Sequence, residues 1–354
     1  MEEYPLNMEE LAKLAGVSKG AVSLALNGKP GVSQDTRERI LRLAKELGYS
    51  GKGRAAPADP NGRSLRFLVF TNAGLVHEQY YQQPFFRELI HHIEERCRMG
   101  GYSLIFSAIE EKHYAEGIRT IMEERTSGVI LLGTNLGASR IADIADKLPH
   151  LVVLDTCFDA LPVHFVEINN YMGAYQAGTY LAERGHQRIG YIASEERIHN
   201  FDERQRGFMS AMAEYHVEIS RSNILAVPPT MFSSQGPLLD KLQHLRESGQ
   251  PFPTAFFCEC DYIAISTMKA LSELGFSIPD DVSVIGFDNI NEALIVTPEL
   301  TTVHVEKERM AAWAVDLLTA AIQRPSAVTT KVKVDTLFIE RSSCLRLEPS
   351  HHFE

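Results

Sequence analysis

The sequence predicts an all-α helix-turn-helix headpiece followed by an α/β core of two doubly wound lobes, and three observations predict it. Residues 8–48 hold three short helical patterns joined by tight turns; from about residue 65, short β-rich apolar runs alternate with amphipathic helices; and 354 residues exceed one typical core.

In the first helix Asn7 can cap the start, with Glu10 reaching back from three positions on, and Leu11, Leu14 and Ala15 form the apolar face. Gly16-Val17-Ser18 turns the chain. Ser18 caps the second helix, whose stripe is Val22, Ala25 and Leu26 and whose stop is Asn27-Gly28. Ser33 caps the third. Ile40, Leu41, Leu43, Ala44 and Leu47 face inward there, and Gly48 supplies a left-handed stop. Such a trihelical unit places its second helix in the DNA major groove. The charge is partitioned to match: residues 13–54 carry nine Lys or Arg against three acids, a balance of +6 in a chain of net charge −11, so the remainder sums to −17. A plain helical bundle with a solvated basic face is the alternative.

Beyond residue 65 the runs RFLVFTN, YSLIFSA, GVILLGT, LVVLDT, RIGYIAS, TAFFCEC and VSVIGFD read as buried parallel strands, with helices such as 85–99, 172–185, 203–215, 262–274 and 306–323 between them. Ligands collect at the carboxyl ends of such strands. Asn72, Gly133, Asp155, Asp261 and Asp288 each follow one, in both halves of the body, which points to a cleft.

With 44% hydrophobic and 23% charged residues the composition is that of an ordinary globular protein, without a run long enough to span a membrane. The acidic MEEYPLNMEE start lacks the apolar stretch of a signal peptide, so a cytoplasmic protein is expected. Cysteines 97, 157, 258, 260 and 344 are scattered and odd in number, which suits reduced thiols. Cys258 and Cys260 alternate along a strand as small buried hydrophobes rather than metal ligands. No metal and no cofactor are expected.

Almost the whole chain resembles the LacI/GalR family of bacterial transcription regulators. LAKLAGVSKGAVSLALNGKPGVSQDTRERI is similar to that family's headpiece, and GHQRIGYIAS, ERQRGFMSAM, IPDDVSVIGFDN, TPELTTVHVE and FIERSSC follow in the family's order. The resemblance implies a core like the periplasmic sugar-binding proteins, an effector between two lobes, and a homodimer on near-palindromic double-stranded operator DNA. It also implies a headpiece over 1–48, a linker over 49–64 and a core over 65–354. The first lobe is then 65–168 with 297–328, the second 169–293 with 329–344, and the crossings lie near 168–170, 293–298 and 328–334.

Motif by motif, the resemblance puts effector contacts at Phe85, Phe86, Asp155, Arg204, Asp261 and Asp288. Carboxylates accept from sugar hydroxyls, a guanidinium donates to oxygens and an aromatic face covers an apolar edge. Each has a plainer reading: Phe85 or Phe86 as core, Asp261 as a helix cap, Arg204 paired with Asp202 or Glu203. Arg204→Ala is expected to abolish effector response with the fold intact. The family often has Asn before the acid at 261, where this chain has Cys260, a lost polar contact that argues against naming a particular hexose.

In the headpiece, the base-reading positions fall on Lys19, Gly20 and Leu24. Lysine can donate to guanine, glycine offers nothing and leucine makes only apolar contact, so direct readout is sparse. Ser18, Ser23, Asn27 and Arg37 suit phosphates. The linker YSGKGRAAPADPNGRS has Ala58 where the family drives a leucine into the minor groove, and its glycines and prolines disfavour a hinge helix, which predicts a less bent operator.

Two rivals come from other classes. An enzyme would use Asp155 and Asp288 as an acid/base pair on a sugar, but the sequence has no G-x-S-x-G elbow, Walker loop or H-E-x-x-H. A transporter's solute-binding protein would need an export signal.

Overall fold

The computed structural model describes residues 8–26, 31–46, 63–72, 75–76, 80–124, 126–229 and 231–347. The chain divides into two compact units, with the boundary between Gly62 and Arg63.

The first unit holds α1 (Met8–Ala15), α2 (Lys19–Leu26) and α3 (Gln34–Glu46). Its core is Leu11, Ala12, Ala15, Val22, Ala25, Ile40 and Ala44. Alanine at four of these seven positions lets short helices approach closely. Leu14, expected on the inner face, is instead 57% exposed. Ala12 takes its place, because it sits one residue along from Leu11 and four from Gly16, on the side that meets α2 and α3. The caps at Ser18 and Ser33 form as the sequence predicts: Ala21 N donates to Ser18 Oγ at 3.2 Å and Thr36 N to Ser33 Oγ at 3.3 Å. The Asn7 cap, the Asn27-Gly28 and Gly48 stops, and the linker with Ala58 lie outside the described residues.

The second unit has two parallel sheets. In the first lobe β1 (Ser64–Thr71), α4 (Pro84–Met99), β2 (Ser103–Glu110), α5 (Tyr114–Glu123), β3 (Gly128–Leu132), α6 (Ala138–Lys147), β4 (Leu151–Leu154) and β5 (His164–Ile168) wind in succession. In the second, α7 (Asn170–Glu183), β6 (Ile189–Ser194), α8 (His199–Glu214), β7 (Ile224–Val227), α9 (Met231–Glu247), β8 (Ala255–Cys258), α10 (Asp261–Glu273) and β9 (Ser283–Ile285) do the same. β10 (Thr302–Val305), α11 (Lys307–Gln323), β11 (Lys331–Val334) and β12 (Thr336–Ile339) complete the described elements.

The strand orders are β11-β5-β4-β3-β1-β2 and β7-β6-β8-β9, and β10 pairs antiparallel with β12 beside the second sheet. Both sheets reverse direction of growth next to their first strand, at β1/β3 and β6/β8, and at such switch points the loops part to leave a crevice. Every residue of β1, β3, β4, β6 and β8 is buried, as continuous apolar runs in doubly covered sheets require. Lobe two is tightened where Gly207 of α8 meets α7: a Cβ there would stand 2.1 Å from the Tyr171 carbonyl.

The first crossover falls at 168–170, between β5 and α7. The second does not fall at 293–298. β10 stays with the second lobe through bridges from Ile285 to Thr301 and Asp288 to His304, and only at Glu306 does the chain enter the first lobe, where α11 packs on α4. β11 pairs with β5 and so belongs to the first lobe, and the third crossover is at Asp335. Hydrogen-bonded pairing, invisible in a four-residue run, decides these bounds.

Arg37 of α3 donates from Nη1 to the Leu24 and Ala25 carbonyls at 3.3 and 3.2 Å, satisfying the carboxyl end of α2. Arg37→Ala is therefore expected to destabilise the headpiece by about 1–2 kcal/mol. Hydrogen exchange should show faster exchange confined to α2 and α3 with the core unchanged.

Candidate functional site

The carboxyl edges of both sheets face one another across a cavity of about 60 Å³ lined by Phe85, Phe86, Thr134, Asp155, Asn200, Phe201, Arg204, Cys260, Tyr262 and Asp288, among others. The lining residues follow the switch-point strands. Phe85 and Phe86 open α4 after β1, Thr134 follows β3, Asp155 ends β4, Asn200 and Arg204 are one turn apart on α8 after β6, and Cys260 and Tyr262 flank the start of α10 after β8. Asp155 and Asp288 have φ of +69° and +114°, a left-handed backbone that turns their side chains at the strand ends and that Asp tolerates better than most residues.

Arg204 is at the centre. Its side chain is 4% exposed, and it does not pair with Asp202 or Glu203. Nε donates to Asn170 Oδ1 at 2.8 Å, Nη1 to the Glu259 carbonyl at 2.6 Å and Nη2 to Asp288 Oδ1 at 3.0 Å, while the guanidinium lies 3.7 Å from the Phe287 ring centroid. Of its five N–H groups two remain. Asn170 Nδ2 donates to Asn200 Oδ1 at 3.0 Å, Asn200 Nδ2 to Asp155 Oδ1 at 3.0 Å, and Thr134 Oγ1 to Asp155 Oδ2 at 2.5 Å. One buried hydrogen-bonded chain thus runs from Thr134 and Asp155 in the first lobe to Asp288 in the second. The amide of Phe85 donates to the Tyr262 hydroxyl at 3.3 Å across the same gap.

The geometry adds a stability cost to the loss of response expected for Arg204→Ala: the truncation would leave Asp288 and the Glu259 carbonyl without their guanidinium donors in the interior, a destabilisation of about 3–5 kcal/mol.

Both Phe85 and Phe86 line the cavity, edge to face at 5.5 Å. Asp261 does not line it. It is fully buried as the first residue of α10, with Oδ1 accepting from Thr302 Oγ1 at 2.6 Å and Oδ2 from Ile290 N at 3.0 Å, so it pins β10 and the loop after β9. Gly286 is required beside it, since a Cβ there would stand 2.1 Å from Asp261 Oδ1. It is not the cap of α10 either, because the cap position belongs to Cys260.

The residues sequence reasoning passed over are Thr134, Asn170, Asn200 and Tyr262, together with Glu259. The Glu259 carboxylate is buried against Arg197 Nη1 at 2.8 Å, Ser194 N at 2.7 Å and Tyr191 Oη at 2.7 Å, and fixes the loop that launches α8. The spacing of Asn200 and Arg204, four apart on one helix face, was the available signal for Asn200.

Burial dominates the carboxyl groups. It pushes Asp155 up to about 6 against the opposing hydrogen bonds of Thr134 and Asn200 and the Arg204 charge. It raises Asp261 to about 7, assisted by the Asp288 charge and opposed by Thr302 and Ile290. Asp288 is raised too, because desolvation outweighs Arg204 and Lys307. Cys260 is pushed well up by burial and is a poor nucleophile.

In the headpiece Ser18, Lys19 and Gly20 are exposed at the start of α2, and Ser23 and Leu24 are half-buried behind them. Ser18 is engaged as the cap and Arg37 as the brace of α2, so both hold that helix in place. Asn27 lies outside the described residues. Among the described residues no group of His, Cys, Asp and Glu could hold a metal, and no helix is long and apolar enough to cross a membrane.

Residues 7–51 match the family model of bacterial regulatory proteins, lacI family, and residues 179–344 that of the periplasmic binding protein-like domain. The probable HTH-type transcriptional repressor ExuR of Bacillus subtilis (strain 168) is 30% identical over 347 residues, covering 97% of this chain and 99% of that one. This chain belongs to the LacI family of bacterial regulatory proteins. The HTH-type transcriptional repressor PurR of Pasteurella multocida (strain Pm70) is 29% identical over 95% of this chain and 98% of its own. The fold is shared with the transcriptional regulator CelR in complex with cellobiose, at a TM-score of 0.70 and 24% identity over 96% and 99% of the two chains. As a LacI-family member the protein is a DNA-binding transcriptional regulator, with a helix-turn-helix unit and a core of the periplasmic binding protein type.

Asp261 supplies a pH test. An acid whose folded-state value is raised binds more protons folded than unfolded, so its contribution to stability declines as pH rises from about 4, its unfolded value, to about 7. In Asp261→Asn the amide can donate to Thr302 while its oxygen still accepts from Ile290. The expected outcome is a flatter thermal stability curve between pH 5 and 8, with a gain at pH 8 on the order of 1–3 kcal/mol. Calorimetry across that range checks it.

Proposed function

We propose that this protein is a repressor whose operator affinity is set by a neutral polyhydroxylated effector, a sugar or sugar derivative, held in the cavity between its two lobes. The observation that carries the reading is the buried chain from Asp155 to Asp288, which leaves two guanidinium N–H groups of Arg204 unused beside two carboxylates. Hydroxyl groups can donate to Asp155 and Asp288 and accept from Arg204. Phe85, Phe86 and Phe201 supply apolar faces for ring C–H groups. A phosphorylated or acidic sugar would place its charge in a cluster where Asp155, Asp288 and Glu88 already outnumber Arg204 and Lys307, and is disfavoured. The cellobiose bound to the CelR relative supports the same class. Asp261 contributes to this site from behind, by pinning the loop that carries Asp288.

The lobes give the effector its leverage. A ligand that touches Asp155 in one and Arg204 and Asp288 in the other binds the closed arrangement more tightly than the open one, and only such a difference shifts a conformational equilibrium. In the headpiece, Lys19, Gly20 and Leu24 face the bases while Ser18, Ser23, Asn27 and Arg37 position α2 against the phosphates, and a homodimer presents two such units to a near-palindromic operator in the cytoplasm. The function needs no cofactor and no catalysis: Asp155 and Asp288 are committed to hydrogen bonds within the site, and the curated relatives compared above are repressors.

A thermal-shift screen over neutral sugars, sugar phosphates, sugar acids and nucleosides tests the reading, since a ligand bound to the native state alone raises the melting temperature. The expected outcome is a shift confined to neutral polyols, with affinity reduced about tenfold or more in Asp155→Asn, which cannot accept as a carboxylate. Shifts given only by anionic ligands would overturn the class, and turnover of any sugar in the panel would return the enzyme.

A further inference from the structure

Lys307 is the first residue of α11 and stands where the chain enters the first lobe for the second time. Its side chain is 3% exposed. An ammonium so deeply buried is retained only where its donors are matched, because an unpaired charge in the interior is strongly disfavoured. Nζ lies 3.1 Å from Glu88 Oε2, on α4 of its own lobe, and donates to the main-chain carbonyl of Asp288, in the other lobe, at 3.2 Å. It also lies 5.6 Å from the centroid of the Phe85 ring, on the cavity wall. Asp288 is therefore held from two sides. Its carboxylate meets Arg204 from the second lobe, and its carbonyl, on a residue with φ of +114°, meets Lys307 from the first.

The other described contacts between lobes at the cavity have neutral donors: Asn200 Nδ2 to the Asp155 carboxylate, and Phe85 N to the Tyr262 hydroxyl. Lys307 brings a cationic donor to the same boundary. Hydrogen bonds to a charged group are worth about twice those between neutral groups.

We propose that Lys307 is a positioning residue for the effector site: an internal latch that holds the lobes closed by tying Glu88 of α4 to the Asp288 carbonyl, and so sets how much of the closing an effector must still supply. The inference rests on the reading of the cavity as an effector site, but the latch itself acts without a ligand. A weaker latch leaves more of the protein open, and the apparent affinity for any ligand that needs the closed form falls by the same fraction.

The test uses the full chain without added ligand. Nitroxides on cysteines introduced at Ser139, beside the carboxyl edge of the first sheet, and Glu196, beside that of the second, report the distance between lobes by pulsed electron resonance. Both positions are exposed, and the unmodified chain gives the background from its native thiols. Wild type is expected to give one narrow distance. Lys307→Met is expected to add a longer population, raising the open-to-closed ratio about tenfold, the change that loss of one charge-assisted hydrogen bond produces. Lys307→Arg, which keeps the charge and the donors, should stay nearer wild type. Glu88→Gln keeps the side chain's shape while removing the anchoring charge, and should give an intermediate distribution even if the Met variant does not fold. A purely structural role would lower the melting temperature without moving the distance. Distance distributions unchanged from wild type in the folded variants overturn the latch, and because no ligand is present that result leaves the effector reading to its own screen.

Discussion

The burial of one guanidinium is the constraint around which the second unit is arranged. Arg204 cannot stay inside the protein without a partner for its charge and acceptors for its N–H groups, and the chain supplies these from three separate strand-to-helix junctions: Asn170 after β5, Glu259 after β8 and Asp288 after β9. Each junction is fixed by its own packing, so Arg204 reads the relative placement of all of them. The aromatic surface of Phe287 beneath the guanidinium fixes its plane. A charge held this way lies next to a cavity without being solvated by it, which keeps its remaining donors strong.

The same arrangement explains why the acids around it are poised rather than firmly ionised. Arg204 stands beside Asp155 and Asp288, and Lys307 near Asp288 and Asp261, yet desolvation outweighs these stabilising charges at each of the three acids. Asp155 and Asp288 face the cavity, where incoming hydroxyl donors would restore what burial removed; Asp261 faces inward and is satisfied by Thr302 and Ile290. Environment therefore separates residues that look alike in the sequence. An aspartate after a strand is ambiguous until its neighbours are known, and Asp261 shows that the next loop can claim it before the ligand can.

Much of the architecture was legible because burial on both faces of a parallel sheet leaves a continuous apolar run. RFLVFTN, GVILLGT and LVVLDT in one lobe and RIGYIAS and TAFFCEC in the other all became central strands. What stayed hidden were strands without that imprint: β5 carries His164 and Glu167, β7 is half-buried, and β11 is the edge sequence KVKV, exposed at two of its four positions. Their membership is a matter of pairing, and so was the second crossover, displaced from 293–298 to Glu306 by the bridges that keep β10 in the second lobe. At the cavity, Arg204, Asp288, Asp155 and the two phenylalanines were legible from motif positions. Asn170 was not, because an amide that serves only to relay hydrogen bonds leaves no mark of its own on charge or periodicity, and Asn200 offered only its four-residue spacing from Arg204 on one helix face.

On the proposed reading of Lys19, Gly20 and Leu24, the headpiece has the complementary problem of achieving selectivity with few base-contacting side chains. Four of its seven core residues are alanines, so the helices pack closely, and α2 is held by contacts at both ends: the Ser18 cap at its start, and Arg37 on the Leu24 and Ala25 carbonyls at its finish. If Lys19 is the one long polar side chain at the reading positions, a single module carries little discrimination between bases, and specificity has to come from holding two rigid modules at a fixed spacing and from how readily the DNA between them deforms. Rigidity within the module then matters more than the number of bases it touches, since an error in the tilt of α2 is felt at every contact at once. Arginine 37 serves that end better as a brace than as one more phosphate contact: each phosphate adds affinity to any sequence, whereas a fixed reading helix makes the mismatched site unfavourable.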